Sequence, residues 1–274
     1  MKYSNRPIPE GINTSQTHPL KIFLKLFAAL VVVLALMTWL LGKSGAWLAM
    51  LIPFDRELSL TAGVEIFDSP ASSMQTYLQG LADTLADDLG MPEEVVLHVH
   101  YSEEPVVNAF ATLGGHVIFY NGLLRELDSE NALAMLIAHE LAHIKHRDPI
   151  ASLGQGLAIQ TGLKLVLGST DVGILGNTGL YTQLKFGRDM ESAADSEALA
   201  AVYHRYGHLG GALDLYEVFL QAQGSDGSFS PSFLATHPLT EKRISSLRNQ
   251  ADKNGWSFEG DRQQLPEDFR RWLQ

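Results

Sequence analysis

The stretch AMLIAHELAHIKHRD, from Ala134 to Asp148, places two histidines and a glutamate inside an apolar, alanine-rich run. Its composition is typical of a helix, which Ser129 can cap at the N-terminus and which ends near His146. His139 and His143 are four residues apart, so both imidazoles lie on one face of that helix at adjacent turns. Buried His and Glu are costly unless a partner satisfies them. A metal ion held between the two imidazoles would meet that cost.

Glu140 follows His139 directly and is rotated from it by about 100° around the helix. It therefore stands beside the metal rather than among its ligands, where it can act as a general base on a water molecule. This is the H-E-x-x-H pattern of zinc peptidases. An ordinary buried helix is the alternative, because so short a pattern also arises by chance.

The downstream segment RDMESAAD, from Arg188 to Asp195, supplies a third ligand. A catalytic zinc takes three protein ligands and keeps one position open, and Glu191 on this second helix completes a set of two histidines and one glutamate. Asp195, one helical turn later, can accept the outer N–H of a ligating histidine. Since the chain has no cysteine, the site must use His and carboxylates. We predict one zinc ion per chain.

The N-terminal part of the chain contains an apolar run, IFLKLFAALVVVLALMTWLL, from Ile22 to Leu41. Twenty residues at about 1.5 Å each span a hydrocarbon core of about 30 Å, which predicts a transmembrane helix. No convincing small-x-small cleavage site follows, so we interpret it as a signal anchor. Four basic residues precede or open the span and Lys43 follows it, which predicts a cytoplasmic N-terminus and a periplasmic catalytic domain. The predicted parts are a tail (1–21), the anchor (22–41) and the domain (42–274).

The remaining pattern predicts an α+β domain that is mostly helical with a small antiparallel sheet. Two strands flank Gly114 and Gly115, a dipeptide able to form a tight hairpin turn. The glycine-punctuated segment from Gly168 to Gly187 is either a surface connector or a flap over the site. The chain carries 31 acidic against 20 basic residues, for a net charge of −11, which argues against a nucleic-acid partner.

Four blocks of sequence, in this order, resemble the membrane-linked gluzincin zinc peptidases, the family of the HtpX-like, Oma-type, BepA-like and CAAX prenyl proteases. The blocks are NAFATLGGHVIFYNGLL (108–124), HELAH (139–143), ESAAD (191–195) and ATHPLTEKRI (235–244). The resemblance implies a zincin-like fold with zinc on His139, His143 and Glu191 and with Glu140 as general base. One departure is Gly187, where the family often has Ser before the arginine.

The resemblance also implies roles for residues outside the zinc motif. The strand from His116 to Tyr120 would be an edge strand that pairs with substrate, through His116, Ile118 and Tyr120, with Asn108 near the cleft. His237 would approach the metal and either stabilise the oxyanion or fill the open zinc position. Arg243 would tie the His-Pro block to the site.

These observations predict a membrane-anchored zinc endopeptidase that hydrolyses misfolded or mislocalised envelope proteins; the substrate class is implied by the resemblance alone. The alternative is a chaperone-like or scaffolding envelope protein with a structural or self-inhibited zinc site. Prenyl-protein processing is disfavoured, because a single span offers no multi-helix chamber for a lipid tail.

Overall fold

The computed structural model describes residue 4 and residues 18–61, 72–168, 186–224 and 232–274. Most of the N-terminal tail and nearly all of the glycine-punctuated segment lie outside these residues. The helices are α1 (Pro19–Ala49), α2 (Phe54–Leu60), α3 (Ser73–Leu89), α4 (Asn121–Arg125), α5 (Glu130–Lys145), α6 (Asp148–Leu167), α7 (Arg188–Tyr206), α8 (Asp214–Gly224), α9 (Phe233–Thr236), α10 (Glu241–Asn254) and α11 (Phe269–Trp272). The strands are β1 (His98–Ser102), β2 (Ala109–Ala111) and β3 (His116–Tyr120).

Helix α1 contains the predicted apolar span and continues beyond it to Ala49. It is long and apolar enough to cross a membrane, and none of its most apolar window is buried by the rest of the chain. A helix that is apolar on all sides and unburied requires an apolar solvent. Helix α1 is therefore a candidate membrane-spanning helix.

The sheet has the strand order β1-β3-β2. Strands β2 and β3 form the predicted antiparallel hairpin, with φ of 68° at Gly114 and 79° at Gly115. Strand β1 runs parallel to β3, so the sheet is mixed rather than purely antiparallel. Because β3 is paired on both sides, our prediction that His116–Tyr120 is an edge strand is wrong. Strand β2 is an edge strand instead, since it pairs only with β3 among the described strands.

Helix α5 lies at the centre of the fold, against α3, α7 and the sheet. Ser129 caps it as predicted by accepting a hydrogen bond from the backbone N–H of Ala132 at 3.2 Å. Every residue from Asn131 to Ile144 is buried, on all faces of the helix. Fixed on all sides in this way, the helix can hold His139 and His143 rigidly.

The chain turns sharply between α5 and α6 at Arg147, whose φ of 60° is unusual for a residue with a side chain. The Arg147 guanidinium compensates this strain by donating hydrogen bonds to the Glu57 carboxylate and to the carbonyl oxygens of Met50 and Ile52. The turn therefore connects the segment that follows α1 to the end of α5, the helix that carries the histidines.

Candidate metal centre

Four side chains from three parts of the chain converge at one point: His139 and His143 on α5, Glu191 on α7, and His237 just after α9. The Nε2 atoms of His139 and His143 are 3.2 Å apart, and each lies 3.6 Å from an oxygen of Glu191. Ligands at about 2.1 Å from a tetrahedral metal ion lie about 3.4 Å from one another. The two Nε2 atoms and the Glu191 carboxylate, with Oε2 nearest His139 and Oε1 nearest His143, are therefore close enough together to hold one small metal ion.

The other ring nitrogen of each α5 histidine is held by a carboxylate. Nδ1 of His139 lies 3.1 Å from Oδ1 of Asp195, as the sequence predicted, and Nδ1 of His143 lies 2.8 Å from Oδ2 of Asp148. A carboxylate at Nδ1 fixes the tautomer that leaves the Nε2 lone pair free for a metal. Both imidazoles are thus oriented as ligands by the fold itself.

Asp195 is held in turn by a buried network. The Arg243 guanidinium donates two hydrogen bonds of 2.7 Å to its carboxylate, and the Tyr216 hydroxyl donates one of 3.0 Å. Burial would raise the pKa of the Asp195 carboxyl, but its hydrogen bonds with Arg243 and His139 lower it overall. Arg243 also lies 2.6 Å from Oε2 of Glu191. Arg243 therefore joins the helix after the His-Pro block to Glu191 and Asp195 of α7.

The same carboxylates act on the histidines. Burial alone would lower the pKa of His139, yet its hydrogen bonds to Asp195 and Glu191 raise it to about 10. Burial lowers the pKa of His143 well below its usual value, with a further contribution from His139. Beside the Arg243 guanidinium, a protonated His139 is therefore favoured between these carboxylates and a protonated His143 is not.

Glu140 stands beside the cluster, as its position after His139 predicts. Its Oε2 accepts a hydrogen bond of 2.8 Å from the backbone N–H of Ala111 on β2. Its Oε1 is buried, lies 3.5 Å from Nε2 of His237, and has no hydrogen-bond partner among the described residues. A buried carboxylate oxygen without a partner is costly. The chemistry of this oxygen suits a water molecule between Glu140 and the metal.

His237 occupies the fourth corner of the cluster. Its Nδ1 lies 3.0 Å from Oε1 of Glu191 and 3.4 Å from Nε2 of His139. The ring stacks on Phe233 with 4.6 Å between the centroids, and Phe186 stacks on His143 at 4.0 Å. The four clustered side chains are at most 1% exposed. The structure therefore describes a closed site, with His237 packed on His139 and Phe186 packed on His143.

The residues predicted to contact substrate lie on or beside the β2–β3 hairpin, but not at its edge. Ile118 and Tyr120 pack with Phe110 in a small cluster apart from the main core. The His116 imidazole lies 2.8 Å from that of His100, and burial lowers its pKa to about 3. Asn108 is buried at the start of β2. Because Ala111 of β2 contacts Glu140, the strand nearest the cluster is β2.

Two residues of the site were not predicted from the sequence. Asp148 is five residues after His143, a spacing that does not share a face of a continuous helix. It reaches His143 only because the chain reverses at Arg147. Tyr216 carries no motif, and its contact with Asp195 depends on how α8 packs. Of these two residues, only Asp148 has a local signal in the sequence. It lies directly before Pro149, and proline is common in the first turn of a helix, so a new helix is expected to begin there.

The part of the chain that holds the cluster is similar to a known protein family. The sequence profile of Peptidase family M48 matches residues 72–251, which is well over half of the chain. The chain belongs to Peptidase family M48. The matched region contains the whole cluster and begins after α1 and α2.

Several M48 relatives are similar to this chain. It is 30% identical over 169 residues to the "Beta-barrel assembly-enhancing protease" of Yersinia pestis, covering 57% of this chain and 35% of that one. It is 31% identical over 154 residues to the "Mitochondrial metalloendopeptidase OMA1" of Schizosaccharomyces pombe, covering 54% and 45%. It is 28% identical over 210 residues to a "Protease HtpX homolog" of Acidiphilium cryptum, covering 62% and 72%. The chain thus spans about a third of the first relative.

Proposed function

We propose that this M48 protein is a membrane-anchored zinc endopeptidase. The observation that carries the proposal is the convergence of His139 Nε2, His143 Nε2 and the Glu191 carboxylate at tetrahedral spacing, with Asp195 and Asp148 behind the two imidazoles. Two nitrogens and one carboxylate, with no thiolate available, form the donor set of hydrolytic zinc sites.

We assign His139, His143 and Glu191 as the metal ligands and Glu140 as the general base. When bound, zinc would polarise a water molecule and the carbonyl group of the peptide. Oε1 of Glu140 is the acceptor for the proton of the attacking water, while Oε2 stays fixed on the Ala111 N–H. Glu140 then passes that proton to the leaving amine. Once the site opens, the edge strand β2 can pair with an extended peptide through backbone groups other than the Ala111 N–H, which Glu140 holds.

The proposal is tested by comparing Glu140→Gln with the wild-type full-length protein. We expect the variant to keep one zinc per chain and to lose cleavage of an unfolded protein such as casein by at least about 100-fold, the scale of a lost general base. The control is Glu93→Gln, the same change at an exposed position. Cleavage that survives in Glu140→Gln, or wild-type protein that binds no zinc, would refute the proposal.

His237 carries a second inference, that the site is self-inhibited in this conformation. Its ring would occupy the open position of a metal held by the other three residues, because its Nδ1 lies 3.0 Å from Oε1 of Glu191 and 3.4 Å from Nε2 of His139. We expect His237→Ala to increase casein cleavage if the ring fills the open position. If the ring instead stabilises the oxyanion, the same substitution lowers cleavage. A site that stays closed would favour the alternative function, a chaperone-like or scaffolding protein with a structural or self-inhibited zinc site. In that case Glu140→Gln should leave the cellular phenotype unchanged, while His139→Ala should disrupt folding.

We propose unfolded or membrane-associated envelope proteins as substrates and the inner membrane as the location, with the catalytic domain in the periplasm. The relatives named as beta-barrel assembly-enhancing proteases support the substrate class. The basic residues before the apolar span support the orientation. The orientation is testable because the chain has no cysteine. A cysteine that replaces Glu93 should react with a membrane-impermeant maleimide in intact spheroplasts. If this cysteine is protected, the catalytic domain lies in the cytoplasm and the proposed orientation is wrong.

A further inference from the structure

Helix α6 packs along the membrane helix α1, and the contacts show that the two helices are antiparallel. A Cβ at Gly45 would lie 2.3 Å from the carbonyl oxygen of Gly154, and one at Gly162 would lie 2.5 Å from Leu41. Moving toward the N-terminus of α1 thus means moving toward the C-terminus of α6. The close approach of Gly45 to Gly154 is possible because neither residue has a side chain, and Gly162 leaves room for Leu41, so the two helices are fixed in register.

This register sets how far α6 extends along the apolar span. Gly162 is level with Leu41, the last residue of the predicted span. Leu165 is three residues further along α6, about 5 Å deeper at 1.5 Å per residue. It is 84% exposed, the largest value among the exposed large apolar side chains of the described residues. A leucine this exposed beside a membrane anchor is explained if its solvent is hydrocarbon.

The two helices form an apolar groove of about 340 Å³ at this level. Its lining includes Leu34, Met37 and Leu41 of α1 and Ile159, Leu163 and Leu165 of α6. Leu34 lies seven residues before Leu41, or about 10 Å inside the span. The groove therefore opens at a depth where α1 itself is surrounded by lipid.

Other exposed apolar side chains cluster around the same junction. Most exposed large apolar residues of the described chain lie on α1, on the two residues that follow it, on α2 or on α6. The two exceptions are Val96 and Val218. The backbone of Val96 meets Gly115, which also contacts Phe54 of α2. An exposed apolar surface confined to one side marks an interaction site.

We propose that the C-terminal part of α6 inserts into the outer leaflet beside α1, with lipid chains in the α1–α6 groove and α2 at the headgroup level. Insertion of about 5–10 Å is usual for apolar helix faces at a membrane interface. Lys164 is compatible with this depth, because its flexible stem lets the ammonium group reach the interface. The bilayer is thus a structural partner of the catalytic domain as well as of the anchor.

Insertion of α6 also fixes the height of the metal centre. Asp148, which contacts His143, is fourteen residues from Gly162, or at most about 21 Å along the helix. An extended peptide covers about 3.3 Å per residue, so about six residues bridge that distance. This consequence rests on the proposed peptidase function, whereas the insertion itself does not.

The insertion is tested by site-directed spin labelling of the full-length protein in liposomes of phosphatidylethanolamine and phosphatidylglycerol. The chain has no native cysteine, so single cysteines can be placed by Leu165→Cys, by Leu34→Cys as the membrane reference and by Val218→Cys as the water reference. Collisions with oxygen report hydrocarbon, and collisions with a water-soluble nickel chelate report solvent. All three positions are exposed apolar residues, so the substitutions leave the core unchanged.

We expect the oxygen-to-nickel accessibility ratio at position 165 to match that at position 34 and to exceed that at position 218 severalfold. A ratio at 165 equal to that at 218, with 34 in hydrocarbon, overturns the proposal and leaves α1 as the only inserted helix. Solvent exposure at both 34 and 165 overturns the anchor as well. Neither readout depends on peptide cleavage, so failure of the insertion is distinguishable from failure of the peptidase proposal.

Discussion

Replacing Asp148 by Asn tests whether the buried carboxylate behind His143 prepares that imidazole to bind metal. The Nδ1–Oδ2 distance is 2.8 Å, with the imidazole fully buried and the carboxylate nearly so. A hydrogen bond to a charged partner contributes about 1.5–3 kcal/mol and a neutral one about 0.5–1.5 kcal/mol. The substitution keeps the shape and a neutral acceptor, so it should cost about 1.4 kcal/mol, or about tenfold in zinc affinity.

The assay is competition for zinc against a chromophoric chelator, with wild type and Asp189→Asn measured in parallel. Asp189 is an exposed acidic residue in the first turn of α7, as Asp148 is a buried one in the first turn of α6. The control therefore matches any loss of helix-terminal charge, which contributes about 0.3–1 kcal/mol to stability. Equal zinc affinity in all three proteins would refute the idea that Asp148 orients His143.

Three further predictions concern packing, charge and reach. Gly45→Ala places a Cβ against a backbone carbonyl of α6 and should destabilise the protein by about 1–3 kcal/mol. The control Gly80→Ala, in open space on α3, should be neutral or stabilising by up to about 1 kcal/mol. Thermal unfolding in detergent measures both. Arg243→Met leaves Asp195 as a buried charge without its cation and should lower the free energy of unfolding in urea by about 3–5 kcal/mol. The control Arg248→Met breaks an exposed ion pair made by the same helix and should lower it by less than about 1 kcal/mol. Equal losses in the two variants would contradict a stabilising role of the buried network. In a membrane-tethered substrate, the shortest segment between the apolar anchor and a cleaved bond should be no longer than about six residues, because the site lies at most about 21 Å from the membrane surface; mass spectrometry of the products measures this length.

The metal cluster could be predicted from the sequence because its decisive spacing is local. His139 and His143 share one helix face whatever surrounds that helix, and Glu191 was found by asking which acidic residue lies on another helix. Asp148 could not be found in the same way, because its contact requires the reversal at Arg147. A positive φ at an arginine has no sequence signal, since it depends on the Glu57 carboxylate and on carbonyl groups from the end of α1.

The sheet shows the same limit. The hairpin at Gly114 and Gly115 was predicted correctly, because a tight turn is a local feature. The position of β3 at the centre of the sheet was not, since it depends on β1, which pairs with β3 in parallel from eighteen residues earlier and is not connected to it by a turn. The pairing of α6 with α1 is another long-range contact, between residues more than a hundred positions apart.

The central claim is that a metal ion binds between His139, His143 and Glu191, and diffraction from crystals of the full-length protein at the zinc absorption edge tests it most directly. The account predicts one anomalous peak per chain, at about 2.0–2.2 Å from Nε2 of both histidines and from a carboxylate oxygen of Glu191. A peak at another place in the chain, or zinc-loaded protein with no peak at this position, would contradict it.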